Sequence, residues 1–196
     1  MAKIGLRYFR YAKLTADVAG TPTYDGAKVP GKAVSCNVSI TNNDAKLFAD
    51  DVLAESDTSF QSGTVTIGVD DEDQATMADL LGHTLSNGRL VRNANDTAPY
   101  VGFGRVVVKM VNGAYKYKVE ILNKVKFSEP SQENQTKGES VEFGTTEIPG
   151  IVSTLSNGDW SDEKIFDDLS SAITYLETSL GGTSSASVEP EDTDGY

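Results

Sequence analysis

The sequence predicts a mainly β protein with some helix, of the α+β class, built on a large antiparallel sheet. Three observations carry that reading. Residues 33–42 and 60–69 alternate apolar and polar side chains with a period of two. Asn112-Gly113 sits between two long alternating runs and marks a tight hairpin. Only two stretches, 71–81 and 168–180, carry helical spacing.

In the first strand Val34, Cys36, Val38 and Ile40 share one face, so Cys36 reads as a small buried hydrophobe and not as a nucleophile. In the second, Val65, Ile67 and Val69 do the same. Around Asn112-Gly113 a two-residue turn pairs Val111 with Ala114 and fixes the register outward. Met110 then faces Tyr115, Val108 faces Tyr117, Val106 faces Val119 and Gly104 faces Ile121, an apolar side. The other side pairs Lys109 with Lys116, Val107 with Lys118, Arg105 with Glu120 and Phe103 with Leu122. The parity is expected to run on to Phe127, giving strands at 100–111 and 114–127. Shorter strands are expected around Leu85 and Leu90-Val91-Arg92 across Asn87-Gly88, at Val141 to Phe143, and at Ile151 to Leu155.

The helix over 71–81 opens on acids that suit the helix dipole, buries Met77, Leu80 and Leu81, and ends at Gly82. The helix over 168–180 lines up Leu169, Ile173, Leu176 and Leu180 in one stripe. Residues 15–32, rich in Thr, Gly and Pro, read as an arm or loop, and 43–59 as a long acidic loop with a few apolar residues. Residues 1–180 form one domain in this reading, and 181–196 a flexible acidic tail.

Charge and composition exclude several functions. Acids outnumber bases 29 to 17, a net charge of -12, which argues against a basic nucleic-acid surface. One cysteine permits no internal disulfide. No apolar run is long enough for a membrane span and no secretory leader is expected, which points to synthesis in a cytoplasm.

Candidate chemistry is sparse. His83 has no Cys or His companion for a metal and reads as a surface or capping residue. Asp70-Asp71-Glu72-Asp73 lacks the glycine and the glutamate of a calcium loop. Gly102-Phe103-Gly104 has Val107 where a phosphate-binding loop needs its third glycine, and it lies in a strand. Asn37-Val38-Ser39, Asn95-Asp96-Thr97 and Asn134-Gln135-Thr136 match the glycosylation triplet, and with no leader expected they read as chance matches. No catalytic, cofactor or metal residues are assigned, and an enzyme is not expected. The lysine face is the more suggestive feature. Lys109 opposite Lys116 is unfavourable unless an acid is near, and the acid excess of an identical neighbour could supply one.

Several segments resemble a known family in order along the chain. They are Ser39-Ile40-Thr41-Asn42-Asn43-Asp44-Ala45-Lys46-Leu47 with Ala49-Asp50-Asp51-Val52-Leu53-Ala54-Glu55-Ser56, then Ala78-Asp79-Leu80-Leu81-Gly82-His83 and Arg92-Asn93-Ala94-Asn95-Asp96. Pro99-Tyr100-Val101-Gly102-Phe103-Gly104, Lys124-Val125-Lys126-Phe127-Ser128-Glu129-Pro130, Gln135-Thr136-Lys137-Gly138-Glu139-Ser140-Val141-Glu142-Phe143 and Asn157-Gly158-Asp159-Trp160 follow. Together they resemble the major tail protein family of long-tailed, non-contractile bacteriophages and prophages, over residues 1–180.

The resemblance implies two packed antiparallel sheets, in a sandwich or barrel-like tail tube fold, with a flanking helix and a C-terminal helix. It implies a structural virion protein whose hexameric rings stack into a tube. DNA passes through the lumen without specific binding. The implied partners are further copies of the chain and the tape-measure, tail initiator or distal tail, and tail terminator proteins, with no cofactor and no membrane. Mapped onto this chain, Asn42, Asn43, Asp44, Leu47, Phe48, Asp50, Asp51, Val52, Leu53 and Glu55 are the candidates for ring-to-ring contact. Arg105, Lys109, Lys116, Lys118 and Glu120 are the candidates for an inter-subunit sheet face. The alternative is a monomeric β-sandwich module on a virion or cell surface that holds a ligand between its loops.

Overall fold

The computed structural model describes residues 2–49, 52–71, 73–131 and 145–182, with the side chains of 2, 47–49 and 52–54 excepted. The expected strand at 141–143 and all but the first two residues of the expected tail lie outside these. The elements run β1 (Ala2–Val18), β2 (Thr21–Tyr24), β3 (Ala33–Asn42), β4 (Ala45–Ala49), β5 (Val52–Asp57), β6 (Phe60–Val69) and α1 (Gln74–Leu81). Then come β7 (Thr84–Ser86), β8 (Arg89–Val91), β9 (Val101–Val111), β10 (Ala114–Phe127), β11 (Thr146–Val152), β12 (Ser161–Phe166) and α2 (Leu169–Ser179). Among the described residues the fold is mainly β with two helices, as the alternation predicts.

The hairpin β9–β10 forms in the expected register. Val111 pairs with Ala114, Lys109 with Lys116, Arg105 with Glu120 and Phe103 with Leu122. Asn112 and Gly113 have φ of 51° and 80°, the left-handed pair that a tight hairpin turn requires. The parity does not run on to Phe127. A bulge between Leu122 and Val125 shifts the strand by one face. Before it, Val119 and Ile121 pack with α2; after it, Val125 and Phe127 join Phe103 in a different core.

That switch lets one strand serve two layers. The eight-stranded antiparallel network runs β2-β1-β9-β10-β11-β6-β3, with β12 also on β10. β10 pairs with β12 through residues Tyr117 to Leu122 and with β11 through Val125 to Phe127. The sheet therefore forks at the bulge, and its β11-β6-β3 part packs over β1 and β9. The core between the two layers joins Phe9 and Tyr11 (β1), Val65, Ile67 and Val69 (β6), Phe103, Phe127 and Ile148. Met77, Leu80 and Leu81 of α1 close it. Phe103 meets Phe9 and Phe127 edge-on at centroid distances of 5.2 and 6.0 Å. A second core lies under α2, where Ala172, Leu176 and Leu180 cover Ala12, Val106, Val119 and Ile121.

The first helix keeps its apolar side but starts late; the second starts as expected and keeps Leu169, Leu176 and Leu180 in its buried stripe, with Ala172 there in place of Ile173. α2 begins after Asp168, whose carboxylate accepts the Ser171 N–H at 2.7 Å. α1 begins at Gln74, later than expected, and no acid lies in its first turn. Asp70 instead accepts the backbone N–H of Lys32 at 2.8 Å. Gly82 ends α1 with φ 77° as expected, its N–H bonded to Ala78 O at 2.9 Å.

Four expectations are corrected in the strands. Residues 15–24 are not an arm or loop: β1 extends to Val18 and turns at Ala19-Gly20 into β2, while 25–32 lie outside the strands as expected. Residues 43–59 are not a loop but the hairpin β4–β5, a two-stranded sheet of its own. Val34 does not face inward. A register shift between Ala33 and Ser35 leaves it 49% exposed, while Cys36, Val38 and Ile40 are half-buried on the inner side. The strand expected at Ile151 to Leu155 instead spans Thr146–Val152, with Ile151 at 59% exposure.

Candidate functional site

The polar side of β9–β10 is a worked charge lattice. Arg105 Nε and Nη2 donate to Glu120 Oε2 at 2.8 and 2.5 Å, and Arg105 Nη1 reaches the Cys36 sulfur from β3. Lys118 Nζ lies 2.9 Å from Glu120 Oε1 and also meets Glu163 of β12. Lys116 meets Asp167. From the sequence, the acid excess of a neighbouring copy could supply the acid beside Lys109 and Lys116. For Lys116 it comes from the same chain, from the residue after β12. Among the described residues, Lys109 has no carboxylate at ion-pair distance.

Electrostatics fixes the protonation states in this lattice. Burial alone would push the Glu120 carboxyl up. The Lys118 hydrogen bond and the Arg105 charge outweigh it and hold the carboxyl below its usual range. Burial disfavours the Lys118 ammonium, but hydrogen bonds to Glu163 and Glu120 raise its pKa nonetheless. Burial raises the Cys36 thiol against the opposing pull of Arg105, so it stays protonated and unreactive. Beside this lattice, Val38, Phe103, Leu122 and Trp160 line a cleft of about 150 Å³ floored by Arg105 and Glu120.

The second group of candidates lies at the root of β4–β5. Asn42 pairs with Phe60, which stacks on Trp160 at 5.1 Å. Asn43 closes the root. Its backbone N–H donates to Ser59 O at 2.8 Å, and its Nδ2 donates to Ser59 Oγ at 2.9 Å and Asp57 Oδ2 at 3.3 Å. The Ser59 backbone N–H in turn holds the Asp57 carboxyl below its usual range. Asp44 pairs with Lys46 at 2.8 Å, and Glu55 is exposed opposite Leu47. Phe48 pairs with Leu53, and Val52 with Ala49. Asp50 and Asp51 lie outside the described residues, as do the side chains of Leu47, Phe48, Val52 and Leu53. The two candidate groups are thus separate surfaces, one at a hairpin root and one on a sheet face.

His83 departs from its sequence reading. It is not a surface residue: its side chain is 6% exposed and lies between two carboxylates. Nδ1 is 2.7 Å from Asp96 Oδ2 and Nε2 is 2.5 Å from Glu129 Oε1. No spacing rule could have brought these together, because they come from three separate connections. Among the described residues, no group of three or more His, Cys, Asp or Glu is placed to hold a metal ion, and no helix is long and apolar enough to cross a membrane.

The chain matches no protein-family model, and a search of curated proteins finds no match.

Proposed function

We propose that this chain is a structural subunit that assembles with copies of itself, the major tail protein of a long-tailed, non-contractile phage. In this reading hexameric rings stack into a tube through which DNA leaves the virion. The observation that carries the self-assembly reading is β3. It is ten residues long and ends the sheet order, so among the described residues only one of its sides is paired. A long edge with free peptide groups is a template for another strand, and monomeric proteins ordinarily blunt such edges. No lysine, arginine or proline stands within Ala33–Asn42. The resemblance along residues 1–180 supplies the particular assembly, and the net charge of -12 suits a conduit that must not retain phosphate. The hairpin β4–β5, outside the main sheet, is the element assigned to ring stacking.

Negative-stain electron microscopy of the concentrated full chain tests the proposal. Rings or tubes with six-fold symmetry are the expected result. A monomer at every concentration, also in the presence of a tail initiator complex, overturns it. The rival reading, a monomeric binding module, looks to the cleft beside Trp160. That cleft is walled by strands β3, β9, β10 and β12 with Trp160 just before β12, and its Arg105 and Glu120 already pair with each other.

A further inference from the structure

The contacts of His83 require more protons than a neutral imidazole carries. Both ring nitrogens lie at hydrogen-bond distance from carboxylate oxygens, and an ionised carboxylate only accepts. A neutral ring would turn a lone pair toward one of them. Asp96 is fixed as an anion: it accepts from His83 and from the backbone N–H of Asn93 at 2.8 Å, and these contacts hold its carboxyl below the usual range. Glu129 is 49% exposed and has Arg92 Nε at 3.4 Å from the same oxygen. Among the described residues, Asp96 and Glu129 are the charged groups that meet the ring, and Arg92 meets Glu129 behind it. They come from the connection between β8 and β9, from the chain after β10, and from the residue after β8.

We propose that His83 is a proton-operated clamp on the end of β10. With both nitrogens protonated, the ring ties the Gly82 turn to Asp96 and to Glu129 together. On losing one proton it keeps Nδ1–H, because Asp96 is the deeper and better-supported acceptor. Nε2 then presents a lone pair to Glu129. The Glu129 carboxylate turns away, to Arg92 and water. What loosens is the junction beyond Phe127, where Ser128 N–H donates to Pro149 O at 2.9 Å and joins β10 to β11. The sign follows from the groups involved. The clamp holds where the carboxylates are ionised and the ring carries both protons, and it opens when the ring loses one of them. It does not depend on the assembly proposed above.

The test is nitrogen NMR of the imidazole together with amide exchange at Ser128, on the full chain from about pH 5 to about pH 8. Glu129→Gln is the control. A glutamine can accept from Nε2–H or donate to the bare nitrogen, so it keeps the contact in both states. In the native chain both nitrogens should be protonated at the low end and only Nδ1 at the high end. Ser128 exchange, corrected for base catalysis, should rise about tenfold between them. In Glu129→Gln it should stay flat. A ring neutral throughout, an unchanged Ser128 rate, or the same rise in Glu129→Gln each overturns the clamp.

Discussion

Gly104 of β9 lies directly beneath Leu176 of α2: a Cβ built on the glycine would fall well inside van der Waals contact with Leu176 Cδ1. With no side chain at that position, the tip of Leu176 rests directly on the strand. Leu176 and Ala172 are then fully covered. Gly104→Ala should cost about 1–3 kcal/mol by overpacking, and Leu176→Ala about 2–5 kcal/mol by leaving a void. Leu176→Asp should cost more than either, because it buries a charge without a partner. Urea unfolding of the three variants measures the order. Near-native stability of Leu176→Asp would remove α2 from the sheet.

The turn at Asn112-Gly113 separates backbone strain from packing. A Cβ on Gly113 would meet no atom within 4 Å, yet its φ is 80°. Gly113→Ala should therefore lose about 1–2 kcal/mol through conformation alone. At Asn112, φ 51°, a β-branched valine should be worse than alanine for the same reason. Denaturant midpoints with unchanged slopes would show this. A neutral Gly113→Ala would mean that the turn relaxes to another type.

The hairpin β9–β10 was legible pair by pair from its turn out to Phe103 and Leu122, where turn chemistry and alternation agree, but the bulge beyond Leu122 was not. β1 was not, although it is the longest strand. Its pairing with β9 shifts between Lys3 and Gly5 and again between Arg7 and Arg10, and Tyr8 has φ 54°. Each shift resets the two-residue period, so Phe9, Tyr11 and Ala12 are all buried and no alternation survives in the letters. β12 fails for the opposite reason. Ser161 to Ile165 are exposed, and the strand is held by its pairing to β10 and not by an apolar face. Missing β12 also hid Glu163 and Asp167, and with them the local partners of Lys118 and Lys116. The sheet face was legible as a lattice of charges; who balances them was not.

The Arg105–Glu120 pair ties stability to pH with a definite sign. The folded state holds Glu120 below its usual range. Its contribution is therefore complete above the unfolded glutamate range and is lost as pH falls through the folded value. Glu120→Gln should flatten the acid limb of the stability profile. Arg105→Leu leaves Glu120 to Lys118 alone and should cost about 1–3 kcal/mol near neutral pH. Unfolding free energies measured across the acid range check both. An unaltered acid slope in Glu120→Gln would assign acid sensitivity to other carboxylates, such as Asp79, which lies 2.5 Å from both Lys13 and Lys28.

The proposed assembly divides its contacts between two elements that can be removed one at a time. Asn37 and Ser39 are exposed on β3. Asn37→Lys with Ser39→Lys should leave monomer stability within about 0.5 kcal/mol, because surface changes of this kind are nearly neutral. The charges blunt the free edge, so neither rings nor tubes should form. Replacing residues 45–57 by a short turn asks the other question. The backbone hydrogen bond from Asn43 N to Ser59 O, 2.8 Å, already closes the root, so the main sheet should stay folded. That variant should make rings that do not stack. Micrographs and sedimentation of the two proteins separate the roles. Tubes from the lysine variant would place ring contacts away from β3, and an unfolded deletion product would make β4–β5 part of the folding unit.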